Sequence, residues 1–188
     1  TIERAEPGTW DANFLASVLE QNRSRGSLSP RQIEILEKIE GRYSDEAVAS
    51  RANWAALYGA DERRLMRIAA QYYAANPPYY GDLANKVLTD SDFIPTEKQF
   101  WSMTNNKYAL KIIAETDSDP KYTVGQQIMG RASAGYNFRN KRGFVMQVGS
   151  EPVVSAARGA ERYLILPVGS PVPILVEERH IKKAPKAK

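Results

Sequence analysis

The residue types best suited to binding chemistry lie between Arg131 and Arg142, where basic and aromatic side chains alternate. The candidate contact residues in this segment are Arg131, Tyr136, Phe138, Arg139, Lys141 and Arg142. Guanidinium and ammonium groups neutralise phosphates, and aromatic faces stack on unpaired bases. No acidic residue lies between Lys121 and Ser150, so we expect a loop that contacts single-stranded or structured nucleic acid. The alternative is that the Tyr136 and Phe138 rings pack on the barrel, while the charged groups of the segment remain exposed to solvent.

Three further basic residues extend this candidate site. They are Arg158, Lys182 and Lys183. The two lysines open a basic segment, residues 182–188, which we predict to be a disordered tail that adds non-specific phosphate affinity. The alternative is that this C-terminal segment only increases the solubility of the protein.

The distribution of charge along the chain also favours an anionic partner. Residues 1–120 hold 14 basic and 18 acidic residues, whereas residues 121–188 hold 12 basic and 4 acidic ones. A division of this kind is typical of a basic module that binds DNA or RNA. The alternatives are that the two regions attract each other or that the basic end only aids solubility.

A second candidate surface consists of tyrosines in the acidic region. Four of them bracket an Asn-Pro-Pro sequence at 76–78, namely Tyr72, Tyr73, Tyr79 and Tyr80. Such a cluster can dock a protein partner. More often it forms the corner of a helical bundle with partly buried tyrosines, which is the interpretation we prefer.

The residue types that are scarce or missing argue against catalysis. The chain has no cysteine, which excludes disulfides, thiol nucleophiles and cysteine-based metal sites. Its one histidine, His180, has no second ligand nearby in sequence, and Asp117 and Asp119 lack the glycine and glutamate of a calcium loop. We therefore predict no enzyme, metal or small-molecule cofactor. We expect a cytoplasmic protein, because a chain without cysteine is compatible with a reducing compartment, and no membrane partner, because no apolar run approaches the roughly 18 residues of a span.

The acidic region is predicted to be helical. Trp10, Phe14 and Val18 recur at helical spacing over 9–23, with Thr9 as the N-cap. Ser29-Pro30-Arg31-Gln32 is a capping-box start for a second helix. Further helices are predicted to begin at residues 44 and 61, and to cover 82–88 and 97–113. Together they predict a bundle of helix–loop–helix hairpins over residues 1–115.

The pattern changes after the polar sequence at 116–121, which is interpreted as a linker. Short apolar runs separated by glycine, proline and asparagine predict five strands, at 122–128, 143–148, 152–155, 162–167 and 172–176. Short strands at this spacing are typical of a small antiparallel barrel. The fold class predicted is therefore α+β, an acidic helical domain followed by a basic small β-barrel at 122–181.

Three sequences in this region resemble SH3-like barrels of the KOW or Tudor kind. Tyr122-Thr123-Val124-Gly125 resembles their opening strand, and Gly143-Phe144-Val145 the strand after their first long loop. The run Val176-Glu177-Glu178-Arg179-His180-Ile181 resembles their closing strand and its short helical turn. The resemblance implies a module that binds nucleic acid, proline-rich peptides or other proteins.

These observations leave three hypotheses for function. The first is a non-catalytic, nucleic-acid-binding accessory protein of phage or plasmid type, whose helical region docks a protein or shapes the site. The second is a structural or interaction subunit of a larger assembly, in which the barrel grips protein. The third is a metal-dependent nuclease that uses carboxylates alone, which ranks last because the acidic residues have no ligand-like spacing.

Overall fold

The computed structural model describes residues 4–185 and has the predicted α+β class, with seven α-helices and one five-stranded antiparallel sheet. The helices are α1 (Trp10–Arg25), α2 (Pro30–Arg42), α3 (Asp45–Leu57), α4 (Ala60–Ala75), α5 (Gly81–Thr89), α6 (Glu97–Thr104) and α7 (Lys107–Thr116). The strands are β1 (Gln127–Gly130), β2 (Arg142–Val148), β3 (Arg162–Pro167), β4 (Ile174–Glu177) and β5 (Ile181–Lys183). A 3₁₀ turn, Glu178–His180, joins β4 to β5. No helix in this part of the chain is both long and apolar enough to cross a membrane.

The chain forms two compact units, Thr1–Leu57 and Tyr58–Lys188. The division falls within the helical region, whereas the sequence predicted a boundary at 116–121. Helices α4 and α7 share a core with the segment that follows β2, where Ile68, Ile112 and Val153 are buried together. That packing joins the last four helices and the sheet in one unit.

The first unit contains α1 to α3, and its helices begin where capping predicts. The Thr9 hydroxyl accepts a hydrogen bond from the amide of Ala12 at 3.3 Å. Ser29 and Gln32 exchange the two bonds of a capping box, at 3.3 and 2.9 Å. The start signals of α1 and α2 are therefore confirmed.

The helix predicted over 97–113 is two helices, which corrects the sequence interpretation. Asn106 separates them, because its Oδ1 accepts the amides of Tyr108 and Ala109 at 3.1 Å and so caps α7. The same oxygen accepts the buried Tyr73 hydroxyl at 3.0 Å. An asparagine side chain competes with helical backbone bonds, and this tertiary partner favours the break.

The sheet has the order β4-β3-β2-β1-β5, with every neighbouring pair antiparallel. Within residues 4–185 it is not closed into a barrel, so the predicted barrel is not confirmed. The run predicted as a strand at 152–155 is irregular instead. Its Val153 packs on the helices rather than in the sheet, which explains why the apolar pattern misled.

The last strand replaces the start of the predicted disordered tail. Lys182 pairs with Met129 and Lys183 with Ile128, so both lysines belong to β5. The strand is held there because Ile181 beside them is fully buried in the core of the sheet. The rest of the predicted tail, residues 186–188, lies outside the described residues.

Candidate nucleic-acid interface

The basic and aromatic loop between β1 and β2 is a fixed structure anchored by Phe138. This ring is fully buried with Ile128, Tyr163 and Ile165 in the core of the sheet. The Arg139 amide donates to the Gly135 carbonyl at 2.9 Å, and Gly135 has a φ of 76°, which glycine adopts without steric cost. Phe138 therefore holds the loop and is not available to stack on a base, which corrects its predicted role.

Tyr136 is placed in the opposite way. Its side chain is 87% exposed, the largest exposure among the large hydrophobic side chains of the described residues. It lies on the rim of a cleft of about 480 Å³ between the loop and β4. The cleft is lined by apolar residues such as Ile174 and Val176 and by the polar groups of Asn137, Arg162 and others. An exposed ring above a half-apolar cleft can stack on a planar ligand.

One wall of this cleft, hereafter the tyrosine cleft, carries a hydroxyl, an imidazole and a carboxylate. His180 Nδ1 lies 2.9 Å from Ser133 Oγ, and its Nε2 lies 3.8 Å from Glu177 Oε2. A serine hydrolase relay needs a hydrogen bond between its base and its carboxylate, and 3.8 Å is too long for one. Glu177 instead accepts from Arg179 Nε at 2.5 Å. The three groups are suited to hydrogen bonding with the polar edge of a ligand.

A second cleft of about 510 Å³, hereafter the basic cleft, gathers four cationic side chains. They are Lys121, Arg131, Arg158 and Arg179. Arg131 is fixed, because its Nε donates to the Ile181 carbonyl at 2.8 Å, whereas Arg158 is exposed. Two of these four cationic residues, Lys121 and Arg179, were not among the nucleic-acid-binding residues predicted from the sequence. Arg179 directly follows two glutamates in the sequence and is in an ion pair with one of them, Glu177.

The basic cleft also contains carboxylates, and two of them already accept hydrogen bonds from the protein. Glu115 Oε2 accepts the amides of Gly159 and Ala160 at 2.7 and 3.1 Å. Glu178 Oε2 accepts the Tyr163 hydroxyl at 2.9 Å and a backbone amide at 3.1 Å. Burial raises the pKa of Tyr163, and this hydrogen bond acts in the same direction, so the phenol stays neutral and keeps donating.

The other predicted basic residues lie in β2, in β5 and in the loop between β1 and β2. Arg142 and Lys182 both pair with Met129, from the two strands that flank it, so the three side chains share one face. Lys183 pairs with a different residue and faces the other way. Arg139 and Lys141 are exposed in the loop. The predicted cations thus form groups around the β1–β2 loop and β5 rather than one continuous patch.

The basic residues before residue 120 and those from residue 121 onward differ in how many are in ion pairs with carboxylates. Five basic residues before residue 120 are in ion pairs, namely Arg4, Arg31, Lys38, Arg42 and Arg64. Among the lysines and arginines described from 121 onward, Arg179 alone is in one. Arg142 and Arg162 donate instead to neutral oxygens, of Gln127 and Pro152. Apart from Arg179, the lysines and arginines described from residue 121 onward are therefore not paired with a carboxylate.

The tyrosine cluster is mostly part of the helical packing. Tyr73 is buried and donates to Asn106, and Tyr80 donates to the Ser102 carbonyl at 3.0 Å. The Tyr72 ring stacks on Tyr108 at 6.5 Å between centroids. Of the four tyrosines, Tyr79 has the most exposed side chain, at 71%. This arrangement agrees with the preferred bundle-corner interpretation, and it leaves Tyr79 as the tyrosine best placed for a partner.

No family model matches the chain, and no curated protein matches it. Within residues 4–185, no three His, Cys, Asp or Glu side chains are grouped so that they could hold a metal ion.

Proposed function

We propose that the chain is a nucleic-acid-binding accessory protein that holds phosphates with the basic cleft and bases with the tyrosine cleft. The observation that carries the proposal is a difference in ion pairing: among the lysines and arginines described from residue 121 onward Arg179 alone is in an ion pair, whereas five of the 14 basic residues before residue 120 are. Unpaired cations and an exposed aromatic ring in the same region of the chain match the chemistry of a nucleic-acid backbone and its bases.

The placement of Arg131 and Arg158 supports the phosphate part of the proposal. Both guanidinium groups line the basic cleft, where the carboxylates of Glu115 and Glu178 already accept local hydrogen bonds. A phosphate that enters this cleft meets bidentate donors, which recognise phosphate with favourable geometry. We place this binding in the cytoplasm, the compartment expected from the cysteine-free sequence.

We further propose that the sheet is an SH3-like module of the KOW or Tudor kind. The order of the strands supports this, because the first strand lies between the second and the last. The 3₁₀ turn directly before β5 corresponds to the short helical turn of the resemblance. The loop between β1 and β2, which carries Tyr136, corresponds to the first long loop of the resemblance.

A polarisation titration with a labelled oligonucleotide at several salt concentrations tests the proposed function. Three to six phosphate contacts predict that log K falls with log salt at a slope of about −2 to −4, at roughly −0.7 per contact for a single strand. Binding with a flat salt response, or no binding at low salt, removes the proposal.

One observation favours a second function, that of an interaction subunit. The outer face of the sheet exposes large apolar side chains, with Phe144 41%, Met146 49% and Leu175 37% exposed. Exposed apolar patches on a sheet mark protein-binding surfaces. Replacing Arg139 and Arg142 together by alanine separates the two functions: loss of nucleic-acid retention supports the first, and loss of partner assembly alone supports the second.

A further inference from the structure

Resting on the proposed function, we infer that the tyrosine cleft takes an unpaired base, so that the ligand is a single-stranded nucleic acid. The site consists of the Tyr136 ring, the apolar floor that includes Ile174 and Val176, and the polar wall of Ser133 and His180.

The first argument is the position of the Tyr136 ring. Tyr136 lies two residues before the buried Phe138. The turn at Gly135 directly precedes Tyr136 and follows strand β1. The anchor fixes the backbone beneath an exposed ring, so little conformational freedom of the loop is lost when a base stacks on it. Stacking of this kind tolerates every base, because each has a π-face.

The second argument is the size and lining of the tyrosine cleft. A volume of about 480 Å³ lies within the range of small-ligand sites, which is roughly 300–1,000 Å³. The floor is apolar, while Asn137, Arg162 and the Ser133–His180 pair offer donors and acceptors at the edge. This combination fits a flat heteroaromatic ring with a polar rim, which describes a nucleobase.

The third argument is the continuity of the two clefts along the chain. Arg179 lines the basic cleft and His180, the next residue, lines the tyrosine cleft. The backbone amide of Arg131 donates to the His180 carbonyl at 2.8 Å, which ties the start of the loop to this turn. Consecutive residues of one turn therefore line the two clefts, so phosphates next to a base held in the tyrosine cleft are expected to contact Arg131 or Arg179.

A duplex does not satisfy this arrangement. Its bases are stacked and paired, so their faces are hidden from Tyr136 unless a nucleotide is unpaired, unstacked and flipped out. Phosphate contacts alone remain available to a duplex. Single strands are therefore expected to bind more tightly than duplexes of the same length and salt concentration.

The experiment compares Tyr136→Ala, Tyr136→Phe and the unmodified chain in polarisation titrations. The probes are labelled DNA and RNA single strands of about 12 nucleotides and the corresponding duplexes. Loss of one stacked base predicts that Tyr136→Ala weakens single-strand binding roughly 5- to 150-fold. Tyr136→Phe keeps the ring and stays within about threefold of the unmodified chain. Duplex binding is unchanged by either substitution.

The possible outcomes distinguish a failure of the single-strand inference from a failure of the proposed nucleic-acid binding. Salt-dependent binding of single strands and duplexes with equal affinity, unaffected by Tyr136→Ala, overturns the inference and leaves standing the nucleic-acid binding through phosphates that the basic cleft is proposed to provide. Absence of binding to every probe removes both. Preference for the RNA or the DNA strand, with the Tyr136 effect intact, supports the inference and adds which sugar the site accepts.

Discussion

Replacing Asn106 by alanine is expected to destabilise the second unit strongly, because this one side chain serves three structural purposes. Its Oδ1 caps α7 through two amides at 3.1 Å and accepts the Tyr73 hydroxyl at 3.0 Å. Its Nδ2 donates to two carbonyl oxygens at the end of α6, at 3.1 and 3.0 Å. The substitution removes all of these hydrogen bonds at once.

The magnitude follows from the groups that lose partners. An N-cap replaced by alanine costs about 1 kcal/mol. The Tyr73 side chain is 6% exposed, and a buried hydroxyl left without a partner costs about 1–3 kcal/mol more. We therefore expect Asn106→Ala to lower the free energy of unfolding by about 2–4 kcal/mol, or the melting temperature by roughly 5–15 °C.

Urea denaturation followed by circular dichroism measures this change, with Asn105→Ala as the matched control. Asn105 is exposed and its side chain makes no hydrogen bond in the described residues, so its replacement is expected to cost under about 0.5 kcal/mol. In the Asn106→Ala background, Tyr73→Phe is expected to recover part of the loss, because it removes the hydroxyl that the first substitution left without an acceptor. Equal stability of the two asparagine variants would refute the reasoning and return Tyr73 to the candidates for partner binding.

Three further predictions concern the sheet and its clefts. Arg158→Gln is expected to reduce the magnitude of the salt slope of nucleic-acid binding by about 0.7, while Arg23→Gln in α1 leaves it unchanged, as polarisation titrations can measure. Burial raises the pKa of Glu161 above its ordinary 4.5, so its ionisation opposes folding. Glu161→Gln is therefore expected to be more stable by a few tenths of a kcal/mol at neutral pH, and urea denaturation below pH 4.5 is expected to show no advantage. Phe138→Ala is expected to cost about 3–5 kcal/mol of stability in the same assay. A loss of binding without a loss of stability would show that Phe138 faces the ligand instead.

The elements that the sequence predicts well depend on residues close to one another in the chain. The capping box of Ser29 and Gln32 involves residues three apart, and the same pattern recurs where Thr96 begins α6. Local chemistry of this kind needs no tertiary partner. The break at Asn106 does depend on one, because part of its support comes from Tyr73, far away in sequence.

In the candidate site, too, the features that the sequence did not predict depend on tertiary contacts. Tyr136 and Phe138 are both aromatic, both lie in a basic run and are two residues apart, so no periodicity separates the exposed ring from the buried one. The turn at Gly135 and the core of the sheet decide which ring is buried. The position of Arg179 in the basic cleft likewise depends on contact with Gly159, whose carbonyl accepts its amide at 2.8 Å. Neither outcome is encoded in neighbouring residues.

The most direct test of the central claim is photo-crosslinking to a halogenated single-stranded oligonucleotide, followed by peptide mass spectrometry. Nucleic acid held by the two clefts predicts crosslinks at Tyr136 and in the peptides that contain Arg131 and Arg179, and their loss at high salt. Crosslinks confined to residues 10–57, or unchanged by salt, would contradict it.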